Sequence, residues 1–191
     1  QIDTVMAEAV ARRIAETIEG TVIGTITGIR YGTSAFGYTN TAQVYGYTNF
    51  PQRLTKTDLT APTGSNPEAT VQDVLEMLEQ MYAQNFYGPF MLYHSTDWDK
   101  YLDNDYARLG GNNATMTLRE RLKKIEGIQD VRRIDSLKSA TNPFTFILVQ
   151  MTSDVAQAIE GMPMQTIQWD SRGGLQTNFK VMTIMVPRLR A

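Results

Sequence analysis

The chain has 191 residues, 42% hydrophobic and 20% charged, which suits one globular domain or two lobes sharing a core and excludes a disordered tail. A formal net charge of −2 gives no global attraction for nucleic acid, and the absence of cysteine excludes disulfide stapling, thiolate chemistry and Cys-based zinc sites. No apolar run reaches the length of a membrane span and no signal-peptide pattern opens the chain. Gln1, where a Met would start a polypeptide, reads as lying within a helix, so an upstream continuation is expected. Ile2, Met6, Val10, Ile14 and Ile18 then recur every four residues, one apolar face of a helix ending at Gly20. Glu8, Arg12, Arg13, Glu16 and Glu19 fall largely off that stripe.

Residues 21–57 are rich in Thr, Gly, Tyr, Ile and Val, the composition of short strands and extended turns. The tetrapeptide Gly37-Tyr38-Thr39-Asn40 returns as Gly46-Tyr47-Thr48-Asn49, read as two similar Thr-Asn turns. Thr60 to Pro67 reads as a linker, with Asn66 as the cap of a helix and Pro67 at its first position. Val71, Val74, Leu75, Leu78, Met81, Tyr82 and Phe86 form that helix's apolar stripe. A Gly88-Pro89 break leads into the short buried strand Phe90-Met91-Leu92-Tyr93, and Thr96 to Leu102 reads as a second short helix.

Thr117-x-x-Glu120 is a capping-box pattern for a helix with Leu118, Leu122 and Ile125 facing inward, closed by Gly127. Ile128 to Leu137 and Phe144 to Met151 read as strands. Thr152-Ser153-Asp154 predicts a brief turn of helix holding Val155, Ala156 and Ile159, ended by Gly161 and Pro163. A strand over Met164 to Trp169, a Ser171-Arg172-Gly173-Gly174 turn and a long alternating strand from Leu175 to Val186 complete the chain. The layout is α+β, not a regular βαβ series, and no Gly-rich phosphate loop follows a first strand.

Few residues invite a chemical reading. His94, the only histidine, sits at a strand end beside Ser95 and Asp97, but neighbours in sequence do not build a triad, and no G-x-S-x-G elbow accompanies them. Asp97, Asp99, Asp103 and Asp105 lack the glycine and twelfth-position glutamate of a calcium loop, so a solvated helix face or a subunit contact is expected. Arg119, Arg121, Lys123 and Lys124, with Arg132 and Arg133, form the most basic stretch. On a helix they divide between two sides, as a solvated surface would. The ten methionines are read mainly as core filling. No catalytic, cofactor-binding or metal residue is named.

The run from Met81 to Tyr93, the Thr96-Asp97-Trp98 helix start, the Leu118 to Ile125 helix and the closing strands, with Asn178-Phe179-Lys180-Val181 and Val186-Pro187, resemble HK97-like shell proteins. That group covers tailed-phage major capsid proteins and encapsulins. The helix ending at Ile18-Glu19-Gly20 is similar to the group's spine helix, and Val44 to Pro51 to the segment after it. The resemblance implies an HK97-like α+β fold with two lobes. A peripheral lobe (1–59 and 175–191) would hold the spine helix and a β region, and an axial lobe (60–174) a mixed sheet flanked by helices. The extended loop and N-terminal arm that precede the spine helix in that group have no counterpart here.

The expected function is therefore a structural, non-catalytic subunit of a closed icosahedral shell, foremost a viral major capsid protein in a virion assembled in host cytoplasm. The alternative is an encapsulin-type compartment in bacterial or archaeal cytoplasm. Expected partners are copies of the chain, with a packaged genome or cargo protein, and no membrane or cofactor. Remoter readings are a small hydrolase around His94 and a nucleic-acid-binding module on the Arg119–Lys124 helix. Candidate subunit-interface residues are Arg12, Arg13 and Glu16 on the first helix, and Arg108, Asn112, Asn113, Ser139 and Asn142 in loops expected around a symmetry axis.

Overall fold

The structure is a computed structural model and describes residues 4–26, 30–31, 42–63, 66–105, 116–138 and 142–190. It mixes helices and strands in two compact units, residues 1–50 with 157–189 and residues 51–156 with 190–191. The sequence reading divides the chain at 59/60 and 174/175; the compact units divide at 50/51 and 156/157. The physical reason for the first difference lies in the segment expected to be a linker. Lys56 Nζ reaches Glu76 at 2.7 Å and Asp58 at 3.0 Å, and the Thr60 amide donates to Asp73 at 2.8 Å. With Pro62 buried and Leu59 packed on the core, residues 56–62 form a strap along a helix of the second unit.

In the first unit, α1 (Thr4–Ile23) runs three residues beyond Gly20. Its last carbonyls find partners downstream in sequence. The amides of Tyr47 and Thr48 donate to the Val22 and Ile23 oxygens, and Thr48 Oγ1 donates to Ile23 as well. Asn49 Oδ1 accepts from the Gly46 amide and fixes the turn that delivers these donors. The second copy of the Gly-Tyr-Thr-Asn tetrapeptide is thus a clasp for the C-terminal end of α1; the first copy lies outside the described residues. A two-residue antiparallel pair, β1 (Arg30–Tyr31) and β2 (Ala42–Gln43), precedes it.

The second unit is built on α2 (Pro67–Ala83), β3 (Phe90–His94), α3 (Asp99–Leu102), α4 (Leu118–Lys123), β4 (Ile128–Arg133) and β5 (Phe146–Gln150). Asn66 stands at the cap position of α2, but its side chain makes no capping bond, and Pro67 opens the helix. The capping box of α4 has both bonds, with Glu120 N donating to Thr117 Oγ1 and Thr117 N donating to Glu120 Oε2.

β3 is the centre of the sheet order β4-β3-β5, parallel to β4 and antiparallel to β5. Its apolar sequence follows from that central place, since strands covered on both faces need no polar alternation. Gly88, at φ +91°, holds the turn into β3, where its amide donates to Gln150 Oε1 and the Phe90 amide donates to the Gly127 carbonyl. Val71, Val74 and Leu78 of α2 join Phe90, Leu92, Trp98, Leu102, Leu118, Leu122 and Val131 in one core. Trp98 stacks on Phe146 with ring centroids 4.2 Å apart.

The last part of the chain departs furthest from expectation. Residues 152–155 form a turn, and Ala156–Ser171 is one sixteen-residue strand, β6, where a turn of helix and a separate shorter strand were expected. It folds back through Arg172–Gly174 into β7 (Gln176–Leu189). Among the described residues the two strands pair only with each other, and β7 packs along α1.

Candidate self-association surface

A lone two-stranded hairpin is marginal in water, and this one is fourteen to sixteen residues long with no buried residue in either strand. Its apolar content is nonetheless that of an internal strand pair. Ile159, Ile167 and Trp169 of β6, with Ile184 and Val186 of β7, are each 42–57% exposed. The three β6 residues share odd positions, the parity that alternation sends to one face. Gly161 belongs to the same set, and the Ile184 side chain stands over it; a Cβ there would lie 3.3 Å from Ile184 Cγ2. The exposed apolar area is on the order of several hundred Å², at the upper end for monomers and characteristic of interaction surfaces.

α1 tells the same story. Among its described side chains before Gly20 none is buried, and the stripe residues Val10, Ile14 and Ile18 are only half-covered. Between α1 and β7 lies an open groove of about 350 Å³, lined chiefly by Ile14, Ile18 and Val22 on the helix and Val181, Met185 and Pro187 on the strand. At the far end of the hairpin, Arg172, Gly173 and Gly174 all have positive φ, and Leu175 is 90% exposed.

In the second unit Arg119, Asp99 and Asp103 surround buried His94. Arg119 of α4 donates from Nη1 to His94 Nε2 at 3.0 Å, from Nη2 to Asp99 Oδ1 at 2.9 Å and from Nε to Asp103 Oδ1 at 2.7 Å. His94 Nδ1 lies 3.0 Å from the Ser95 carbonyl, so that nitrogen carries the proton and Nε2 accepts, as in a neutral imidazole. Burial pushes its pKa below the ordinary value; the Ser95 bond opposes this and the Arg119 charge reinforces it. Asp99 pays a desolvation cost, yet hydrogen bonds from Arg133 and Arg119 hold its carboxyl below the usual range. Both ring nitrogens are engaged within the chain, one by the Ser95 carbonyl and the other by Arg119.

The acidic and basic stretches noted in the sequence therefore largely answer one another. Asp99 and Asp103 bind Arg119, while Arg133 pairs with Asp99 and Asp135. Lys123 and Arg132 pair with Asp130, whose carboxyl they hold far below its ordinary pKa. A simple solvated face is thus the wrong description of Asp99 and Arg119. Among the described residues no group of three His, Asp or Glu side chains is placed to hold a metal, and no helix is long and apolar enough to cross a membrane. Met91 is buried and Met77 and Met81 pack on the core, but Met6, Met151 and Met164 are exposed, so core filling accounts for only some of the methionines.

Of the residues expected at subunit contacts, Arg12, Arg13 and Glu16 are exposed on α1, with Arg13 Nη1 3.3 Å from Glu16. Asn142 is exposed at the loop before β5, where its carbonyl accepts from Thr145 Oγ1. Arg108, Asn112, Asn113 and Ser139 lie outside the described residues. Sequence reasoning did not single out the hairpin face or the groove. Ile159, Ile167 and Trp169 at odd positions, with Ile184 and Val186, were the available signal.

A description of one protein family, "Family of unknown function (DUF6260)", matches residues 7–189. No curated protein matches the chain. Among solved structures, the chain is similar to a virus-like particle from Pyrococcus furiosus at 23% identity and a TM-score of 0.49, over 68% of this chain and 50% of that one. This chain spans about half the length of that protein.

Proposed function

We propose that the chain, which belongs to the family of unknown function DUF6260, is a structural subunit that self-assembles into a closed icosahedral shell. The observation that carries this reading is the β6–β7 hairpin, thirty strand residues without one buried side chain and with six large apolar residues on view. Such a surface is stable in water only when something covers it, and identical subunits supply a cover at every position of a symmetric assembly. The likeness of Met81–Tyr93, Thr96–Trp98 and the closing strands to HK97-like shell proteins gives the assembly its form. In that reading α1 serves as the spine helix of a peripheral lobe, and the sheet of β3, β4 and β5 lies in an axial lobe.

The role is structural and not catalytic, and the locked, neutral His94 supports that part of the reading. The leading version is a viral major capsid protein enclosing a genome, in a virion assembled in host cytoplasm. Electron microscopy of the intact gene product after expression tests the proposal. Hollow particles of uniform diameter are expected, and their contents separate a viral shell (nucleic acid) from a compartment (protein cargo). Monomers alone at high concentration contradict it.

A further inference from the structure

His94, the chain's single histidine, is fully buried at the end of β3, and charged groups face it from three elements. Arg119 comes from α4, Asp99 from the first residue of α3, and Asp103 from just past its last. Arg133 of β4, the partner of His94 across the ladder, holds the other oxygen of Asp99 at 3.1 Å. β5 brings no charge there, since the residue opposite His94 is Phe146. Arg119 is the second residue of α4 and bonds to both ends of α3 as well as to the ring. One guanidinium therefore ties the helix pair to the end of the sheet.

This tie holds only while Nε2 carries no proton, because an imidazolium has no lone pair to offer. Protonation would set two N–H donors and two positive charges 3.0 Å apart where a hydrogen bond stood. The ring is fixed in the core with its Nδ1–H on the Ser95 carbonyl, whereas Arg119 is 22% exposed and has a route to water. Asp99 Oδ1, 3.8 Å from Nδ1, is already placed to exchange the guanidinium for the imidazolium. We infer that His94 is an acid-sensitive latch: protonation at Nε2 expels Arg119, and the start of α4 comes away from α3 while the sheet stays folded. Burial keeps the ring neutral below its ordinary pKa, so the latch is closed above about pH 6.5 and opens as pH falls toward the folded value. Such a device is independent of the shell-subunit reading.

Hydrogen exchange of the intact chain from pH 7 to 4, corrected for the intrinsic rate, tests the latch. The amides of Arg121 and Lys124, which donate to the Thr117 and Glu120 carbonyls, are expected to lose protection about five- to twentyfold by pH 5. Low urea should leave that loss unchanged, the mark of an opening that exposes little surface. His94→Gln accepts from Arg119 without titrating, and its protection should stay level. Because the chain has one histidine, exchange of the imidazole C2 proton reads the ring's own midpoint in the natural chain, whether or not the variant folds. The fall at α4 is expected to lie between about pH 6.5 and that midpoint. Protection at α4 that ignores pH, or falls only below the ring's midpoint, overturns the latch. So does a loss that grows with urea in step with the Phe90 amide of β3, since that is unfolding of the whole unit.

Discussion

A methyl group at Gly46 would lie 2.5 Å from the Thr21 and Val22 carbonyl oxygens and against the Gly24 amide. These are backbone atoms with no alternative rotamer, at the point where residues 46–49 clasp the end of α1. Gly46→Ala is therefore expected to destabilise the first unit by about 1–3 kcal/mol, the range for forced overpacking. Hydrogen exchange should accelerate at the amides of Tyr47 and Thr48 while those of β3 keep their protection; unchanged exchange at 47 and 48 would contradict the clasp.

His94 sets a different expectation. Its folded pKa lies below the unfolded value near 6.5, so on acidification the unfolded chain takes up a proton that the folded chain resists. Stability is fully present above about pH 6.5 and falls as pH drops toward the folded pKa. The charges facing the ring are Arg119 from α4, Asp99 from α3, and Asp103 just beyond it. His94→Gln keeps one donor and one acceptor without a titrating ring. Denaturation between pH 7 and 5 should show the natural chain losing stability and the variant holding nearly level; parallel curves would refute the assignment. Arg119→Met leaves Asp99 with Arg133 alone, Asp103 with solvent, and the Nε2 of buried His94 without its donor. Solvent reaches 22% of the Arg119 side chain, so the expected loss is about 1–2 kcal/mol, less than for a fully buried pair.

At the scale of elements, the hairpin carries the greatest consequence. Trp169 and Ile184 each keep about half their surface exposed, so covering the remainder is worth roughly 1–1.5 kcal/mol apiece. Replacing both, as Trp169→Ser with Ile184→Thr, should raise the concentration at which copies associate by one to two orders of magnitude. Sedimentation across a dilution series measures this, and an unchanged threshold would remove the hairpin face from the interface. Elements with a strong local signal were legible in sequence: the period of α2, the capping box of α4, the apolar run of β5 and the alternation of β7. The second half of β6 was legible as the strand Met164 to Trp169, but its first half was not, because Val155, Ala156 and Ile159 fit helical spacing as well as strand spacing, and Gly161 with Pro163 imitates a helix stop. Only pairing with β7 decides between them. The Arg119–His94 contact spans 25 positions in sequence, beyond any local pattern.

For the whole molecule, the contrast between the units is the main physical fact. The second has a continuous core of buried residues around Phe90, Leu92 and Trp98, whereas the first leaves its helix stripe and its hairpin largely in solvent. The proposed assembly would supply a cover for that apolar surface. Sedimentation velocity of the intact gene product over a thousandfold concentration range tests that claim most directly. A sharp threshold is expected, above which a discrete, large particle replaces the monomer. A single monomer boundary at every concentration would contradict it.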